Sequence, residues 1–210
     1  MRIVGGRFRG RDLTSPSDFR VRPTAEEVRA GLLDALAGEI QGARVLDLFA
    51  GTGAVGLEAL SRGARSADFV EFRPASLHAL QANVAALGLR RQTRVFKRDA
   101  IPFAEALGTD SYDVAFADPP YGSKILDRVL EAWRERRFSR VFAVEHDPAH
   151  DLPAGAKREQ FRSTARDAHE TSINVRDRDR YADLDGGGAE IRDRDLDLGP
   201  VERPTLVGVL

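Results

Sequence analysis

Cysteine is absent from this 210-residue chain. Disulfide staples and thiolate chemistry are excluded with it, and a reducing compartment fits. Long apolar runs are missing too: no stretch approaches the ~18 residues of a membrane span, and the N-terminus lacks the apolar core of a secretory signal. The expectation is a cytoplasmic protein with no membrane partner. Net charge is nearly nil, −1 from 32 Lys+Arg and 33 Asp+Glu, which taken whole argues against a nucleic-acid partner. Its distribution is uneven, however. Residues 177–210 hold nine acids and five arginines, whereas residues 1–22 hold Arg2, Arg7, Arg9, Arg11, Arg20 and Arg22 against Asp12 and Asp18. Of the four histidines, His146 and His150 lie four apart, but Pro148 between them forbids a regular helix that would aim both at one metal. No metal site is expected, both are read as surface-loop residues, and Trp133 and Phe138 are read as packing groups.

What is present is alternation. β-branched or aromatic runs at 45–49, 67–72, 94–97, 113–117 and 140–145 are separated by helix-length amphipathic stretches at 55–62, 74–87, 100–107 and 123–137. This order predicts an α/β fold with a mostly parallel sheet covered by helices. Thr24-Ala25-Glu26-Glu27 reads as a capping box opening a helix over 24–37. Ahead of it, Gly5-Gly6 turns a small basic hairpin between residues 2–4 and 7–13. Further strands are expected at 160–162 and 171–175. Three regions result: a basic hairpin extension at 1–23, a catalytic domain at 24–176, and a low-complexity charged tail at 177–210 with too little apolar content to order itself.

Two runs carry chemistry. Asp47-Leu48-Phe49-Ala50-Gly51-Thr52-Gly53-Ala54-Val55-Gly56 crosses from the first strand into a helix, and glycines there let backbone approach a ligand. Glu71 follows 20 positions after Gly51, where a carboxylate can accept ribose hydroxyls. Together they indicate an adenosine-containing cofactor across the carboxyl ends of the strands. Gly51-x-Gly53-x-x-Gly56 formally fits the dinucleotide fingerprint, so NAD stands as a rival. The second run is Asp118-Pro119-Pro120-Tyr121. Its prolines stiffen the turn, the Asp118 carboxylate and a proline carbonyl can accept the two hydrogens of an amino group, and Tyr121 offers a face for a planar base, worth roughly 1–3 kcal/mol.

These two runs together resemble the S-adenosylmethionine-dependent amino-methyltransferases. More narrowly, Arg2-Ile3-Val4-Gly5-Gly6, Arg9-Gly10-Arg11-Asp12-Leu13, Arg22-Pro23-Thr24, Val28-Arg29 and Leu57-Glu58-Ala59-Leu60-Ser61-Arg62-Gly63 are similar to the RsmD family, over roughly residues 1–150. The resemblance implies a Rossmann-like methyltransferase: seven strands with the last antiparallel, S-adenosyl-L-methionine as cofactor, and the N2 amine of one guanine in small-subunit ribosomal RNA as target. The partner would be that RNA or the assembling small subunit, and the protein is expected to act as a monomer. The family pattern disfavours NAD, because a dehydrogenase has no use for Asp-Pro-Pro-Tyr after strand four. By position, Asp47, Phe49, Gly51 and Gly53 would face the methionine part of the cofactor. Glu71 would bind the ribose, Asp99 and Ala100 the adenine, and Asp118, Pro119, Pro120 and Tyr121 the target base, with Asp118 also bordering the cofactor. Arg9, Arg11, Arg22 and Arg29 are the expected RNA contacts. The residues after 175 depart from the family pattern. Two other readings stand beside this one: methylation of adenine N6 or another amine on nucleic acid, and a non-catalytic RNA-binding or ribosome-assembly protein with this fold.

Overall fold

Five apolar runs become five mutually parallel strands of one sheet: β1 (Arg44–Leu48), β2 (Ser66–Glu71), β3 (Thr93–Lys97), β4 (Tyr112–Ala117) and β5 (Ser139–His146). The computed structural model describes residues 1–16, 26–120, 124–146 and 150, and the backbone of 157–159, 170–175 and 208–209. Arg22, the Thr24-Ala25 half of the capping box and Tyr121 lie outside them. The helices are α1 (Glu26–Ala35), α2 (Ala37–Ile40), α3 (Ala54–Ser61), α4 (Pro74–Ala86), α5 (Ala100–Glu105) and α6 (Ile125–Arg136). The single helix expected over 24–37 is therefore two, because the backbone leaves helical geometry at Leu36 (φ −99°, ψ 13°).

Sheet order is β3-β2-β1-β4-β5, continued by β7 (Glu170–Val175), β6 (Lys157–Glu159) and β8 (Gly208–Val209). As the resemblance implied, β7 runs antiparallel to β5, pairing Val141 with Val175. Among the described residues the sheet has eight strands, however, and β8 lies in the segment expected to be a structureless tail. The remainder of 177–210 is outside the described residues. Residues 160–162, where a strand was expected, lie outside the described residues; β6 at Lys157–Glu159 consists of three polar residues without the alternation that would have marked them.

Strand alternation divides the interior into two layers. Val45, Phe69, Val114 and Phe116 pack with α1, α3 and α4, while Leu46, Val70, Ala115 and Phe142 pack with α5 and α6. Trp133 and Phe138 are buried in the second layer, as expected, and the Trp133 indole N–H donates to Ser139 O at 3.1 Å. The N-terminal hairpin is reduced to one bridge, Arg2 to Asp12, with a 3-10 turn over Gly6–Phe8. It is held on the domain by Ile3 and Leu13, both buried in the first layer. Among the described residues no helix is long and apolar enough to cross a membrane.

Candidate active site

The switch point of the sheet lies between β1 and β4, where chain order reverses and ligands of open α/β sheets bind. Asp47, on β1, faces α3, and its Oδ2 accepts the Gly56 N–H at 3.0 Å. Burial pushes this carboxyl up to about 8; the Gly56 bond opposes the shift and neighbouring Glu71 adds to it. Beyond Leu48 the backbone turns sharply through left-handed residues. Phe49 (φ 58°) holds that geometry without being glycine, at a cost of roughly 1–2 kcal/mol. Gly51 and Gly53 share it for different reasons. A Cβ on Gly53 would come 2.3 Å from Leu80 Cδ1, so this glycine is required by helix packing. A Cβ on Gly51 would meet only Phe49 O at 3.9 Å, so its face is open.

Register sets the chemistry-bearing groups side by side. Val70, Leu48, Ala117 and Val144 are neighbours across β2, β1, β4 and β5. One step further along come Glu71, Phe49, Asp118 and Glu145. Glu71 is buried and already anchors the loop: Oε2 accepts Gly51 N–H at 2.9 Å, and Oε1 accepts Phe72 N–H and Arg73 N–H at 2.8 Å. A carboxylate has about four acceptor positions, so about one remains for a ribose hydroxyl. Asp99 lies just past β3 and caps α5, its Oδ1 accepting Ile101 N–H at 2.9 Å. It borders a cleft of about 430 Å³ with Arg98, Pro102 and Phe103. Ala100, the first residue of α5, is buried.

Sequence reasoning passed over two features at this end. Phe72, directly after Glu71, is 57% exposed, an unusual state for a large apolar ring. Its signal was an aromatic one step past the strand's last acid. Glu145 and His146 end β5 and are both buried, next to Asp118 and buried Pro119. His146 is thus no surface-loop residue, because β5 extends to it and β7 covers it through the His146–Glu170 pairing. His150 Nε2 lies 3.1 Å from Asp127 Oδ1.

The expected RNA contacts separate. Arg29 is fully buried: its guanidinium meets Glu58 Oε2 at 2.7 Å and donates to Arg2 O. It has no surface to offer a nucleic acid, because helical spacing turned it inward against α3, and the assignment is corrected. Arg9 and Arg11 are exposed, Arg11 donating to Ala86 O at the end of α4. The Asn83 amide ties residues 1–16 to the loop at Thr52. It accepts Thr14 N–H at 2.7 Å and donates to Thr14 O and Thr52 O, each at 3.0 Å.

A model of the family described as Conserved hypothetical protein 95 matches residues 1–170. The chain is similar to the ribosomal RNA small subunit methyltransferase D of Escherichia coli (strain K12), 40% identical over 156 residues, 73% of this chain and 78% of that protein. It is also similar to the protein of the same name from Haemophilus influenzae, 31% identical over 146 residues, 69% of this chain and 76% of that one. The solved structure of Escherichia coli yhhF superposes with a TM-score of 0.68 at 32% identity, over 82% of this chain and 94% of that one.

Proposed function

The chain belongs to the RsmD family of S-adenosylmethionine-dependent methyltransferases, and from that premise we propose that it methylates the N2 amine of a guanine in small-subunit ribosomal RNA, as a cytoplasmic monomer. The observation that carries the reading is the strand register: Asp118 emerges from β4 directly beside the Phe49–Gly53 turn on β1, so an acceptor for an amine adjoins the cofactor loop.

The residues fit the cofactor. Gly51 has an open face, Glu71 ends β2, Asp99 follows the neighbouring β3, and the cleft at Asp99 is large enough for a planar base. Bound there, S-adenosylmethionine supplies an electrophilic methyl group. Asp47 and the Phe49–Gly53 backbone would hold its methionine part, Glu71 one ribose hydroxyl, and Asp99 with Ala100 its adenine. Asp118 and the Pro119 carbonyl would accept the two amine hydrogens of the target base, turning the nitrogen lone pair toward the methyl. That nitrogen is a poor nucleophile because its lone pair is delocalised, so acceptors that favour a pyramidal amine act mainly in the transition state. Asp118 would also take the proton released, and Tyr121 would stack on the base.

The test is transfer of a tritiated methyl group to small ribosomal subunits from a strain lacking this enzyme, followed by mapping of the labelled nucleotide. Label on guanine N2 is expected. Label on adenine N6 gives the site to a different base, and no label in any nucleotide leaves only an RNA-binding role. Asp118→Ala is expected to abolish transfer while cofactor affinity stays within a few-fold.

A further inference from the structure

The N-terminal segment mixes its arginines with acids, but a second basic group carries none. Between Phe72 and Arg98 there is no Asp or Glu, and the stretch contains Arg73, Arg90, Arg91, Arg94, Lys97 and Arg98. It forms α4 and β3, and β3 is the outer strand of the sheet. Arg90, Arg91, Arg94, Lys97 and Arg98 are all exposed. Neighbouring residues on β3 point to opposite faces. Arg94 sits beside its register partner Asp68 on the α5 side, and Lys97 falls on the other, so the edge is positive on both sides. The N-terminal segment adds to it: Arg7 donates to Gln92 Oε1 at 2.7 Å, and Gln92 in turn donates to Arg65 O at 3.3 Å.

What distinguishes this edge is the lack of compensating acids. Elsewhere several cations have partners: Arg2 with Glu26, Arg44 with Asp113, Arg62 with Asp34 and Glu58, Arg128 with Glu105, Arg140 with Glu39. Among the described residues Arg90, Arg91, Lys97 and Arg98 have no ion pair; Arg94 pairs with buried Asp68 and Arg73 with buried Glu71. Uncompensated like charges repel one another, and a polyanion lying along them relieves that repulsion and releases its own counterions.

We propose that the β3 edge, from Arg90 and Arg91 at its start to Lys97 and Arg98 at the cofactor end, is a docking surface for the phosphate backbone of RNA. The inference rests on the reading of the substrate as ribosomal RNA and assigns to the edge the contacts that orient that substrate. Backbone contacts of this kind fix position without reading sequence, and the edge ends beside the cleft at Asp99. Base selection is left to the Asp118 turn.

The test measures affinity for protein-free small-subunit ribosomal RNA at several potassium chloride concentrations. Arg90→Ala/Arg91→Ala is expected to lower the slope of log K against log salt by about 1.4–1.8, since each phosphate contact contributes roughly 0.7–0.9. Arg90→Lys/Arg91→Lys keeps the charges and is expected to keep the slope, which separates charge from folding. Arg134→Ala/Arg136→Ala, exposed on α6 among Glu131 and Glu135, is expected to leave it unchanged. An unchanged slope in the Arg90/Arg91 alanine pair, or an equal loss in the α6 pair, overturns the proposal. Methyl transfer by the unmodified protein is scored separately: its absence from small subunits removes the functional reading, while the slope still decides whether RNA lies on this edge.

Discussion

The two ends of α3 each bury a carboxylate, and they treat it in opposite ways. At the C-terminal end Glu58 is fully buried between two guanidiniums, Arg29 at 2.7 Å and Arg62 at 2.9 Å, with Val4 N–H at 3.4 Å. At the N-terminal end Asp47 is equally enclosed, accepts one backbone N–H, faces no cation among the described residues, and is driven toward neutrality. A compensated buried charge is scaffolding. Asp47 is an acid left short of partners, and it lies beside the Phe49–Gly53 turn proposed to hold the cofactor. The N-terminal segment, α1 and α3 are fastened at one end of a helix whose other end is left open.

Substitutions at the two ends should therefore differ in kind as well as size. The largest stability loss is expected from Glu58→Ala, which strands the buried Arg29 guanidinium inside the protein at about 3–5 kcal/mol; urea unfolding measures it, and a loss below about 1 kcal/mol would remove the scaffolding role. Gly53→Ala follows, at roughly 2–5 kcal/mol, combining about 1–2 for a left-handed alanine with about 1–3 for collision with Leu80. A shift of the thermal midpoint upward in this variant would contradict the packing role.

Asp47→Asn tests the open end through pH. The folded-state value of about 8 exceeds the ordinary 3.8, so between those pH values the unfolded chain has lost a proton that the folded protein keeps. Stability accordingly falls as pH rises through this window, by up to about 1.4 kcal/mol per unit. The asparagine variant should show a flatter profile from pH 4 to pH 8; a profile parallel to the parent's would mean that Asp47 does not titrate in this way. The smallest stability effect is expected at Gly51→Ala, about 1–2 kcal/mol for the backbone alone, yet calorimetry should find S-adenosylmethionine affinity reduced at least tenfold. Unaltered affinity would close the face that the glycine leaves open.

How much of this could be read beforehand depended on distance along the chain. The glycine turn and the Asp-Pro-Pro turn are local, so residues 47–56 and 118–120 declared themselves, and the five parallel strands fell within one residue of their expected bounds. Arg29 and Glu58 lie 29 positions apart, and nothing in either segment says that an arginine beside a basic motif turns inward. Asn83 looks like any polar residue on α4 until Thr14 and Thr52 are brought to it. The acid-free run ending at Arg98 was visible as composition, but its meaning required knowing that β3 lies at the sheet's rim. His146 was misread because Pro148 marks a loop, and the strand before it is longer than its apolar core.

The Asn83 amide has a further consequence of a thermodynamic kind. It donates to both Thr14 O and Thr52 O and accepts from Thr14 N–H, a combination that aspartate, lacking donors, cannot reproduce. Any ligand whose binding shifts residues 1–16 must also change the free energy of the loop at Thr52. Reciprocity then requires that occupancy of that loop change the first ligand's affinity by the same factor.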